Sequence, residues 1–216
     1  MVTEKMTVHK ALSELKVIDN RIQKEIGDAT FVVANKHANT VIKGIPVADF
    51  ISQARDDFRS IRTLISRRNA IKRAVTRSNA ATKVSIGGQE YTVAEAIDMK
   101  NLGMEHLKYL CSAVESQFNA ARVAADRENG DKLEGRADTY IQSLYQNADK
   151  KNLSDEVKKV REDFMAAQTV EVIDPLETAK VSKDLRDQID AFMSDVDSAL
   201  SVSNALTEVV VEYETY

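Results

Sequence analysis

The run Ser78-Asn79-Ala80-Ala81-Thr82-Lys83-Val84-Ser85-Ile86 returns in altered form as Ser203-Asn204-Ala205-Leu206-Thr207-Glu208-Val209-Val210-Val211, close to the C-terminus. A second echo links Thr7-Val8-His9-Lys10-Ala11-Leu12 with Thr92-Val93-Ala94-Glu95-Ala96-Ile97. A chain that spells the same helix end and helix start twice has to build the same corner twice. The reading is therefore one domain, 1–216, made of two unequal copies. The first spans 1–88 and the second 89–216, the latter carrying an elaboration near 115–155.

Composition sets the class of those copies. Only 7 glycines and 2 prolines occur in 216 residues, with 43% hydrophobic and 30% charged side chains. That mixture favours long helices over a strand-rich sandwich. The expected fold is mainly α: long amphipathic helices in a bundle, internally duplicated, with one or two short β-hairpin or ribbon elements. With no Trp and 6% aromatic residues, the stacking platforms of single-strand nucleic-acid binders are scarce. A net charge of −4 supplies no global field toward polyanions. The first residues lack a signal-peptide pattern, and no apolar stretch approaches the ~20 residues of a membrane span. We expect no membrane partner and a cytoplasmic site of synthesis.

Local pattern then places the elements. Leu12, Leu15, Ile18, Ile22 and Ile26 recur at helical spacing over 8–26, with Gly27 closing that helix. The β-branched, glycine-bounded stretch 30–45 reads as loop or short strands, and Pro46 as the first turn of a helix over roughly 47–77. Asn79 is expected to leave that helix in a left-handed conformation. Thr82–Ile86 and Gln89–Val93 flank Gly87-Gly88, the pattern of a two-residue hairpin. Helical pattern follows from Ala94 to about Asn147, broken between Asn129 and Gly135, with a further helix over Ala137–Leu144. Ser154 caps the next helix; Val170–Pro175 is extended; the last helix covers about 177–201, and a strand runs from Thr207 to Tyr213.

The repeat makes a specific demand of the chain ends. In the Gly87-Gly88 hairpin the strand ending copy one pairs with the strand starting copy two. By symmetry the final strand, Glu208–Tyr213, pairs with residues 2–8, within one chain or between neighbours, because an unpaired terminal strand invites aggregation. Asn79 with Thr82, and Asn204 with Thr207, then mark equivalent corners. Charge separates the copies. Residues 55–77 hold Arg55, Arg59, Arg62, Arg67, Arg68, Lys72, Arg73 and Arg77 against Asp56 and Asp57, whereas 187–216 carries only acidic charges. Such opposed helices favour register and correct partnering, within a chain or across a subunit contact.

Reactive constellations are harder to assemble. His9, His37 and His106 are scattered without Cys or acidic partners at metal-ligand spacing, and Cys111 sits at helical spacing with Leu107, Leu110 and Val114, as a buried apolar position would. Gly87-Gly88 lacks the Lys-Ser/Thr of a phosphate loop. The reading is of a non-enzymatic protein with no metal and no cofactor. The best polar candidate is the stripe Arg55, Arg59, Arg62, Arg73 and Arg77, able to hold an anion, a partner or a phosphate backbone.

The pattern Ile71-x-x-Ala74-x-x-x-Ser78-Asn79-x-x-Thr82 followed by Gly88-x-x-Tyr91-Thr92-Val93-x-x-Ala96 resembles the septicolysin-like proteins, small helical bacterial and phage-associated proteins of unsettled function. Asn204 and Thr207 match that family's second Asn-x-x-Thr. The resemblance covers about a third of the chain. It implies a phage-encoded virion or assembly component, found in the host cytoplasm during assembly and then in the particle. The expected partners are further copies of the chain and other virion proteins, and nucleic acid ranks behind them.

Overall fold

The computed structural model describes residues 1–145 and 154–216, and the chain is mainly helical with small two-stranded sheets. In chain order the elements are β1 (Val2–Thr7), α1 (Val8–Asp28), β2 (Val41–Ile42), β3 (Ile45–Pro46), α2 (Val47–Ala81), β4 (Lys83–Ile86), β5 (Gln89–Thr92) and α3 (Val93–Asp98). A π-helical turn, Met99–Gly103, leads into α4 (Met104–Asn129), followed by α5 (Asp131–Leu144), α6 (Asp155–Gln168), α7 (Thr178–Leu206) and β6 (Glu208–Tyr213). The backbone forms two compact units, one of residues 1–102 with 191–216 and one of residues 103–190. The junction expected between the repeats, at 88–89, lies inside the first unit.

The two corners are built bond for bond alike. At the end of α2, Thr82 N donates to Ser78 O at 2.8 Å, and at the end of α7, Thr207 N donates to Ser203 O at 2.9 Å. Each threonine carbonyl then receives the first amide of the helix in the partner motif: Val93 N reaches Thr82 O at 2.9 Å and Val8 N reaches Thr207 O at 2.8 Å. Thr7 and Thr92 cap those helices, each hydroxyl accepting from the amide three residues on, Lys10 and Glu95, at 3.2 Å. Around Thr92 the Glu95 carboxylate also accepts from the Thr92 amide, completing a capping box.

Strand pairing follows from these corners. β4 and β5 pair antiparallel through Gly87 and Gly88, whose φ angles of 56° and 79° suit glycine and close the turn. β1 and β6 pair antiparallel with Thr7 opposite Glu208 and Val2 opposite Tyr213, so the two ends of one chain form a ribbon of their own without a covalent turn. Equivalent positions are buried in both copies: Val8 and Val93, Ala11 and Ala96, Ile71 and Val196, Val211 and Ile86, each no more than 2% exposed. Met6, Val8, Ala11, Ala70, Ile71, Val75, Val209 and Val211 make one cluster in which the ribbon of chain ends is sealed against α1 and α2. In the second copy Tyr91 meets Phe192 edge to face at 5.5 Å, and Gly87 N donates to Asp195 Oδ2 at 3.3 Å.

The second unit rests on its own contacts. Cys111, Ala125, Leu133, Ala137, Ile141, Val157 and Ile189 are buried there, and Tyr140 stacks on Phe164 with centroids 4.4 Å apart. Asn129 locks the segment after α6, its side chain donating to Val170 O at 2.7 Å and accepting from Val170 N at 2.8 Å. Asp174 accepts from the Thr178 amide at 2.8 Å, opening α7. The expected extended stretch through Pro175 is neither helix nor strand.

Several boundaries differ from the sequence reading. Asn79 does not adopt a left-handed conformation: α2 continues to Ala81, and the positive-φ non-glycine residues among those described are Lys43 and Glu177. Asn204 likewise lies in the last turn of α7. The stop belongs to Thr82 and Thr207, because the strand demands extended backbone there. Gly27 is helical, and α1 ends at Asp28 with Ala29 as its extended cap. The break near 130 is confined to Gly130, so α5 starts at Asp131 and includes Gly135. Asn147 lies outside the described residues. Pro46 precedes the first turn of α2 and pairs with Val41, so the stretch before α2 is a short hairpin.

Because Ile71 is fully buried where both chain ends meet α2, Ile71→Ala is expected to cost about 2–5 kcal/mol in urea unfolding followed by circular dichroism. A loss below about 1 kcal/mol, the range of surface substitutions, would show that the core does not close on this side chain.

Candidate interaction surface on helix α2

α2 contributes 35 residues to the first unit, about 52 Å of helix at the standard rise, and its neighbours cover it unevenly. α1 and β6 bury Ile61, Ala70, Ile71 and Val75. Beside that strip Ile51, Phe58 and Ile65 remain 43%, 54% and 38% exposed. These residues stand seven apart, which puts them along one line of the helix. Arg55, Arg62 and Asn69 each follow one of them by four, so the ridge alternates apolar and polar side chains. It contains no carboxylate. Phe31 joins its N-terminal end, edge to face with Phe58 at 6.2 Å, and Phe31, Phe50, Ile51, Ala54, Arg55 and Phe58 line an apolar groove of about 290 Å³.

A second groove, about 1130 Å³, runs between the C-terminal half of α2 and β6. Arg62, Arg73 and Arg77 stand on its helical wall; Glu208, Glu212 and Glu214 stand on the other. The tail after β6 is fastened to α2: Glu214 N donates to Ser66 Oγ and Tyr216 N to Thr63 Oγ1, both at 3.1 Å. The Tyr216 ring lies 3.8 Å from the Arg62 guanidinium, a cation–π contact that orients the arginine without neutralising it.

The five arginines of the expected stripe thus divide. Arg55 belongs to the apolar groove; Arg59 pairs with Asp56 at 3.5 Å; Arg62 bridges ridge and tail; Arg73 and Arg77 line the larger groove. Among the described residues Arg55, Arg62, Arg73 and Arg77 have no carboxylate partner within ion-pair distance. No bond places the corner residues Asn79 and Asn204 in a binding site. Thr82 and Thr207 both line the larger groove, but their amides and carbonyls are engaged in the corners. Of the other reactive groups considered, Cys111 is buried, its thiol directed at Ser182 O at 3.7 Å, and the histidines are exposed.

Arg67, an undistinguished member of the basic run in sequence, is the best-engaged cation of this unit. Its guanidinium grips Glu4 with two nitrogens at 2.8 and 2.9 Å, bonds both oxygens of Glu14, and donates to the Tyr213 hydroxyl at 2.8 Å. The cluster ties β1, α1 and β6 to α2. The corresponding position in the second repeat is Phe192, so one copy uses an ionic knot where the other uses an aromatic pair. The bonds from Glu14 and Glu4 raise the Arg67 pKa above its ordinary value, and the bond from Arg67 lowers that of Glu4.

No family model, curated protein or solved structure matches this chain. Among the described residues no helix is long and apolar enough to cross a membrane, and no group of three or more His, Cys, Asp or Glu is placed to hold a metal ion.

The lowered Glu4 pKa carries a sign for stability. The contribution is present above the unfolded carboxyl value and is lost as pH falls through the lower folded one. Arg67→Met is expected to cost about 1–2 kcal/mol at neutral pH, since Glu4 is partly solvent-screened. It is also expected to flatten the acid limb of the urea midpoint against pH. Parallel acid limbs in the two proteins would show that the cluster adds nothing to folding.

Proposed function

We propose that this is a non-enzymatic structural or assembly protein, a phage-encoded virion component, that self-associates through helical faces. The observation that carries the reading is the uncovered ridge Ile51, Phe58 and Ile65, with the Phe31 groove at its end. Contiguous apolar surface of this kind marks a contact site more often than an ordinary monomer face.

The terminal strands pair with one another within the chain, so association by exchanging one strand for another copy's is not required, and the helical faces carry the reading. The phage origin rests on the septicolysin-like pattern around Asn79, Thr82 and Thr92. A phosphate-bearing ligand or nucleic acid held by the basic helix is the second reading, favoured by Arg73 and Arg77, which have no ion pair among the described residues. Glu208, Glu212 and Glu214 face them across the groove and would repel a polyanion.

Light scattering over a hundredfold range of protein concentration is the direct test. The expected result is a molar mass that rises above the 24.0 kDa of one chain; a constant monomer mass throughout overturns the reading.

A further inference from the structure

The α2 ridge sets conditions on what can cover it. An occupant must offer apolar contact to Ile51, Phe58 and Ile65, and carboxylates to Arg55 and Arg62, which lack them among the described residues. A second α2 fails the condition, because the ridge carries no acidic residue and self-pairing would bring arginines together. An aqueous anion fails the apolar half. An acidic helix with carboxylates at the same period meets both.

Such a helix is present in the chain. On α7, Asp190 and Asp197 stand seven apart, as Arg55 and Arg62 do, and Met193 lies between them on the same exposed line. Asp190 has no ion pair among the described residues. Asp197 accepts from Lys100 yet keeps 75% of its side chain in solvent. No Lys or Arg follows Arg186 to the end of the chain. Seven residues of helix span about 10.5 Å on each side of the contact, so both ion pairs form in one register. Two ion pairs flanking an apolar seam is the arrangement by which helices choose partners and register.

We infer that the α2 ridge of one copy docks on the Asp190–Met193–Asp197 face of α7 in a second copy. The inference rests on the self-association proposed above and names its surfaces. The contact joins two different faces, so each bound copy leaves one ridge and one acidic face free, and the assembly closes as a ring or grows as a filament.

Charge exchange tests it with the full-length chain. One variant carries Arg55→Glu and Arg62→Glu; the other carries Asp190→Arg and Asp197→Arg. All four positions are exposed, and unchanged far-ultraviolet circular dichroism and melting temperature serve as the folding control. Each variant alone is expected to need at least about tenfold more protein than the wild type to associate. An equimolar mixture is expected to form complexes, since the acidic ridge of one then meets the basic face of the other. Wild type that stays monomeric overturns the self-association reading and this inference with it. Wild type and the Arg variant associating equally well overturn the α2 surface alone. An Arg variant that is monomeric but not rescued in the mixture overturns α7 as the occupant and assigns the ridge to another acidic helix. A mixed-sequence oligonucleotide that displaces wild-type association in low salt would assign the arginines to phosphate and overturn the pairing.

Discussion

The fold of the first unit depends on the meeting of the chain's two ends. β1 and β6 have no covalent turn between them, so their pairing must be held by what lies beneath and beside them. Beneath is α2, with Ile71 and Val75 sealed under Val209 and Val211. Beside them is the bond from Val8 N to Thr207 O, which launches α1 at the point where α7 stops. Closing so long a loop costs conformational entropy that grows only slowly with length, and a buried cluster with a satisfied backbone is able to offset it. α1 is positioned by the same contacts, since its first amide and its cap both belong to the corner.

The two copies share this corner and differ in how they secure it. Gly87 and Gly88 tie the second ribbon covalently, and Tyr91 packs against Phe192 beneath it. The first ribbon lacks that tether and carries Arg67, bonded to Glu4, Glu14 and Tyr213 from three separate elements. A guanidinium has five donors in a fixed plane, so it can bind several chain segments at once with geometric selectivity. The ionic knot therefore stands where the covalent turn is missing. It also withdraws Arg67 from the surface, while Arg55 and Arg62 stay on the ridge.

Much of this was legible in the residues. The hairpin announced itself by Gly87-Gly88 between β-branched runs. The pairing of residues 2–7 with 208–213 followed from the repeat, because a strand with a partner in one copy needs one in the other. The arginine stripe was visible as a composition, but its division was not. Arg67 stands about 140° round the helix from Arg62, but the packing of β1, α1 and β6 on that side of α2 is what makes it the half-buried arginine while Arg55 and Arg62 stay exposed. The ridge was not legible for a related reason: Phe58 and Ile65 have helical periodicity like Ile61 and Ile71, and periodicity does not reveal how many neighbours a long helix will have. Asn79 was misplaced because αL tolerance is a permission, whereas the Thr82 carbonyl has an obligation to Val93.

Helix content, the helix starts after Thr7 and Thr92 and the Gly-Gly turn were settled by local pattern, since each depends on residues within a few positions of one another; the duplicated corner was announced by the repeat. The fate of individual side chains was decided by tertiary structure. Which arginine is knotted to carboxylates, which hydrophobes stay in solvent and where α2 runs bare all depend on contacts between residues far apart in the chain. Such contacts leave no periodic trace, because burial belongs to the neighbour that arrives as much as to the residue that receives it.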